Sequence, residues 1–266
     1  MTVRLYWEVA RTTARRLATY RGATLAGVVT NTAFGFILSY VLLAVFRQRP
    51  EIDGFDAVDA VTFTFVVQGL LMPIGVFGTD LEQAERIRTG EVALDLCRPY
   101  DYQGWWAAVA YGRALYYVWA RGVPPFVAAA LVLDVRLPPH AWTWAAFLAS
   151  VALAVGVAFG FGFLLQLTAF WIFEVRGPNQ LGWITAQFLS GVFVPLFLFP
   201  DGVEAVVRAL PFAPMMQYPA EVFLGRYAGW ELAGVYARQV AWLVALAVAG
   251  RLVLARAVRR VVVQGG

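Results

Sequence analysis

Thr79–Tyr102 reads TDLEQAERIRTGEVALDLCRPYDY and is the one long charge-dense stretch inside an otherwise very apolar chain. It separates two long hydrophobic runs, so it has to meet water where its neighbours do not. Thr79-x-x-Glu82 has the form of a capping box and predicts a helix start. Glu82 and Arg86 stand four apart and support that helix, while Leu81, Ala84 and Ile87 give it an apolar side. Thr89-Gly90 predicts a break, because glycine accepts positive φ at a helix C-terminus. Glu91 to Leu96 predicts a second short helical piece, which Arg98-Pro99 ends. The expected product is a bent amphipathic element at a membrane surface. Such a shape suits passing movement from a soluble partner to membrane helices.

Composition supports the membrane. Of 266 residues, 61% are hydrophobic and 14% charged, and the mean hydropathy is +0.66. A soluble domain of this length needs far less apolar surface, so a polytopic, all-α membrane protein is expected. All 21 basic residues are arginine. The absence of lysine rules out a Walker A loop and Schiff-base chemistry within the chain. If ATP drives the protein, another chain binds it. One cysteine, Cys97, and one histidine, His140, cannot build a metal cluster, a catalytic Cys/His pair or an intramolecular disulfide. Only scattered carboxylates remain for an enzyme, which disfavours a membrane-enzyme reading, and no nucleic-acid partner is expected.

Six spans are expected, at about 23–46, 58–78, 111–133, 142–173, 181–199 and 232–254. Residues 1–22 carry Arg4, Arg11, Arg15, Arg16 and Arg21 among Leu5, Tyr6, Trp7, Val9 and Leu17. They read as an amphipathic helix in the membrane interface. The N-terminal apolar run is too long for a cleaved signal. Asn31 in the first span and Gln68 in the second are candidates for lining a pathway, with helix–helix packing as the plainer role. Pro73 loosens the second span and offers a hinge. Arg121 lies about 12 Å along the third span from Arg113. It faces the bundle interior or a partner carboxylate, or else the span starts later and Arg121 reaches the interface.

Asp201 to Gly225, DGVEAVVRALPFAPMMQYPAEVFLG, holds Val203, Val206, Val207 and Leu210 at helical spacing, with Glu204 and Arg208 paired at i,i+4. Pro211 and Pro214 break it, and Tyr218-Pro219-Ala220-Glu221 opens another short helix. Neither half is long enough to cross. Broken helices at membrane depth need protein or a cavity around them.

Two stretches resemble the permeases of ABC-2 type transporters. Ile87-Arg88-Thr89-Gly90-Glu91-x-x-x-x-Leu96-x-Arg98-Pro99 is similar to their cytoplasmic coupling segment, where a glycine follows a basic helix and Leu-x-x-Pro closes the element. The branch grouped with viologen and drug exporters looks nearest. The LPF…YPAE run at Leu210–Phe212 and Tyr218–Glu221 is similar to the re-entrant outer helices between the last two spans. The resemblance implies a six-span exporter fold with an N-terminal elbow helix, and two permease subunits, alike or related, that form the path for a hydrophobic or amphipathic substrate. It implies a separate ATPase, holding ATP and Mg, docked on residues 79–102. Ile87, Gly90, Glu91, Leu94, Arg98 and Pro99 would couple to it, with Gly90 the bend and Glu91 and Arg98 the polar contacts. Pro211, Tyr218 and Glu221 would form an outer gate. A scaffold or sensor protein using the same surface segment is the rival reading.

Thirteen arginines fall on the termini, the 79–102 segment and the turn at Arg176, against Arg47, Arg49, Arg136, Arg208 and Arg226 on the other side. The positive-inside rule then puts both termini in the cytoplasm of a bacterial inner membrane.

Overall fold

The computed structural model describes residues 2–78 and 80–260. Among these residues the regular structure is helical, and five helices are long and apolar enough to cross a membrane. They are α2 (Arg21–Gln48), α3 (Ala57–Ile74), a composite of α6 (Tyr102–Tyr117) and α7 (Val123–Val132), α8 (Ala141–Leu167) and α12 (Gly229–Ala257). Shorter helices are α1 (Thr2–Leu17), α4 (Glu82–Arg88), α5 (Val92–Leu96), α9 (Arg176–Leu189), α10 (Asp201–Ala209) and α11 (Gln217–Phe223).

Helix α3 is the axis of the bundle. In its most apolar stretch 83% of residues are buried, against 17% in α12. It packs on α2, α6, α7, α8 and α11, and Phe63, Val67, Leu70 and Leu71 join Val155, Ala158 and Met216 in the main core. At its N-terminal end Asp56 caps it by accepting the Asp59 amide at 2.8 Å, as an N-cap carboxylate should. Arg136, beyond α7, then donates to Asp56 at 2.8 Å and pairs with Asp59, while its amide donates to Thr62 Oγ1. At the C-terminal end Pro73 and Gly75 stop α3 at Ile74, four residues before the expected limit.

The third span starts at Tyr102, nine residues earlier than expected, because Asp101 caps it by accepting the Gly104 amide at 2.6 Å. A π-helical turn, Val118–Gly122, joins α6 to α7. Pro124-Pro125 follows directly. Their missing N–H groups would leave two carbonyls of a regular helix without partners, and the wider turn re-registers the chain.

Residues 181–199 do not form the single spanning helix expected of them. Helix α9 has 14 residues, about 21 Å of rise against a hydrocarbon core of about 30 Å. Ser190 to Pro195 is irregular, and a short 3₁₀ turn at Leu196–Leu198 follows. The irregular backbone is not left bare: the Leu196 amide donates to Gln217 Oε1 at 3.2 Å, inside protein, which is where non-helical backbone survives at membrane depth.

Candidate coupling segment and outer re-entrant cluster

The predicted Thr79 cap lies outside the described residues. Asp80 Oδ1 accepts the Glu82 amide at 3.2 Å, and its other oxygen pairs with Arg113 of α6. Helices α4 and α5 follow, with Gly90 between them at φ +81°, a conformation open to glycine and costly for other residues. Arg86 locks the bend. Its Nε and Nη2 donate to the two oxygens of Asp95 at 2.7 and 2.8 Å, and its Nη1 donates to Glu91 at 2.8 Å. Donating to the Asp95 carboxylate raises the Arg86 pKa above its ordinary value.

The expected Glu82–Arg86 support therefore gives way to partners across the bend. A buried carboxylate that accepts a two-pronged guanidinium outweighs an exposed one-turn neighbour.

The two faces of this element differ. Ile87 and Val92 point inward, in a cluster with Tyr102, Trp106, Phe163 and Leu167 of α6 and α8. Ile87 is thus an anchor to the membrane helices, with 8% of its surface exposed. Leu94 is 66% exposed, and Glu91, Arg98 and Pro99 are exposed beside it. Glu91 is shared with Arg86, so it both holds the bend and faces water. Arg88 bonds Glu85 at 2.8 Å and lies over the Phe173 ring in the chain that follows α8. Behind the element, Asp80, Gln83, Trp106, Arg113, Gln166 and Trp183 line a cavity of about 80 Å³. Gln166 Oε1 accepts the Ala84 amide across it.

At the other end of the bundle α10 and α11 form the broken pair expected there, nine and seven residues long. Glu221, 2% exposed, takes both Arg208 Nη groups at 2.9 and 2.6 Å, Gln217 Nε2 at 2.7 Å and the Tyr227 hydroxyl at 2.5 Å. Arg208 Nε donates to Glu204 at 2.6 Å, the i,i+4 pair read from the sequence. Tyr218 is buried and donates to the Arg208 carbonyl at 2.8 Å. Pro211 lies in the turn between the two helices. Tyr218 and Glu221 thus belong to one network. Sequence reasoning missed Gln217, Tyr227 and Gln239, which donates to the Ser150 and Pro214 carbonyls. Gln217 stands four before Glu221 on one helical turn, and that was its available signal.

The three intramembrane candidates lie close together where α2, α3 and the π turn pack, with Gly69, next to Gln68, against the Gly122 backbone, next to Arg121. Asn31 is buried and donates to the Gln68 carbonyl at 3.1 Å, which is packing between α2 and α3. The Gln68 side chain is buried in α3. Arg121 sits in the π turn with its guanidinium against Gly27 of α2, where a Cβ would collide with it. The Tyr117 ring lies 5.6 Å away, and Nε is buried with no hydrogen-bond partner among the described residues.

A multi-pass helical bundle, with an amphipathic bend at one end and broken helices at the other, defines a polytopic membrane protein. Residues 29–265 match the model of the ABC-2 family transporter protein, and the chain belongs to that family. It is the membrane component of an ABC transporter, without a nucleotide site of its own. No individually curated protein matches the chain.

Proposed function

We propose that the chain is the permease of an ATP-driven exporter in a bacterial inner membrane, with both termini cytoplasmic. A separate ATPase docks on the outward face of α4–α5, and a second permease, alike or related, completes the path for a hydrophobic or amphipathic substrate. The observation that carries this is the two-faced bend. Ile87 and Val92 root it in α6 and α8, the Arg86–Asp95 pair stiffens it, and Leu94, Glu91 and Arg98 face solvent. A push on the outer face is thereby delivered to two spans as a rigid-body displacement. The outer network around Glu221 supports a gate on the far side.

The test is a gentle-detergent purification of the chain from its host, with mass spectrometry of what accompanies it. A Walker A-bearing ATPase should co-purify, and Leu94→Asp, Glu91→Ala or Arg98→Ala should release it without loss of membrane insertion. Wild-type recovery of the ATPase in all three variants would sink the docking assignment. Failure of any ATPase to co-purify would favour the scaffold reading.

A further inference from the structure

We propose that the chain holds a phospholipid with an anionic headgroup in two adjoining troughs beside α1. The first trough, about 530 Å³, runs between Val3, Tyr6 and Trp7 of α1 and Ala108, Tyr111 and Leu115 of α6. The second, about 200 Å³, reaches Gly156 and Gly160 of α8 and Leu243 of α12. Gly104, Ala107 and Tyr111 line both. Two apolar troughs divided by one row of side chains match a lipid with two acyl chains. From Gly104 to Leu115 the rise is about 16 Å, so the first trough leads from the membrane surface into its interior. An acyl chain follows that course; a polar peptide does not.

Arg251 lines the second trough, and two arginines flank Trp7 beside the first. Arg4 and Arg11 stand three before and four after Trp7, on the same side of α1, and both are exposed. Arg11 makes only a 3.4 Å contact with Glu8. Arg251 lines the second trough, 66% exposed and held no closer than 3.4 Å to Asp101. These guanidiniums are free to turn to a phosphate, their preferred partner. Trp7, 58% exposed, lies where an amphipathic ring meets headgroups. Gln103 also lines the second trough. It is 6% exposed, with Nε2 committed to the Ala247 carbonyl.

The experiment titrates the purified full chain in neutral detergent with dioleoylphosphatidylglycerol or dioleoylphosphatidylcholine and reads retained lipid by native mass spectrometry. Wild type should retain the anionic lipid about thirtyfold better, the product of two arginines beside an anionic headgroup. Arg4→Gln with Arg11→Gln should erase most of that preference and leave the lipid-free thermal transition in place, since both side chains are exposed. Ala107→Leu, which fills the shared wall, should lower retention of both lipids. Equal retention of the two lipids by wild type, or an unchanged preference in the double variant, would overturn the proposal. So would unchanged retention in Ala107→Leu. These readouts need no ATPase, so they fail or succeed independently of the transport reading.

Discussion

Arg86 and Asp95 face each other across the Gly90 bend and share two hydrogen bonds, at 2.7 and 2.8 Å. One residue comes from each of two helices too short to persist alone. The pair therefore makes one rigid element out of two marginal ones.

Asp95→Asn should loosen that element. Asp95 is nearly buried but a quarter of the Arg86 side chain is open to water, so the loss is about 2 kcal/mol, below that of a fully buried pair. Amide exchange over residues 83–96 should then speed by roughly tenfold or more, with α8 unaffected. Unchanged exchange in that window would show that apolar anchoring alone sets the bend.

Glu221 offers a sharper test of a buried network. Arg208→Leu alone leaves a carboxylate with its main countercharge gone and should destabilise by about 3–5 kcal/mol. The double variant Arg208→Leu, Glu221→Leu removes the stranded charge and should recover part of that loss. Thermal unfolding in detergent of the single and double variants measures the coupling. Simple additivity would mean that the two residues act separately.

Gly27 and Arg121 compete for one volume. Gly27→Val should destabilise by about 1–3 kcal/mol through overpacking. Arg121→Ala in the same chain should restore most of it. A Gly27→Val variant as stable as wild type would place the guanidinium elsewhere.

The clamp at the N-terminus of α3 has a defined pH response. Burial pushes the Asp56 carboxyl upward, but the Asp59 amide, Arg136 and the Val58 amide outweigh it and hold the pKa below the ordinary 3.8. A carboxyl depressed on folding contributes stability that is complete above 3.8 and lost as pH falls through the lower folded value. Asp56→Asn should therefore be less stable than wild type at neutral pH and down to about 4. The gap should close in stronger acid. A gap that stayed constant with pH would exclude the clamp.

Helix content, the broken outer pair and the bent surface segment were legible along the chain because each is a local pattern: long apolar runs, paired prolines, a capping glycine between charged turns. Glu204–Arg208 was legible for the same reason. Local pattern misled where a distant group competed better. Glu82 yielded Arg86 to Asp95, nine residues on, and the apolar run 181–199 was read as a span although it breaks after Leu189. Hydropathy reports what a segment avoids, and does not report whether its carbonyls and amides find partners in a straight helix.

The sequence by itself determined that this chain lives in a membrane, that it binds no nucleotide through a Walker lysine, and that one amphipathic bend faces water. Those follow from composition and one-turn spacing. Only the tertiary structure decided what the apolar side of that bend packs against. Burial of Ile87 against Phe163 and Leu167 depends on contacts between residues about eighty apart, and no periodicity within the segment encodes them.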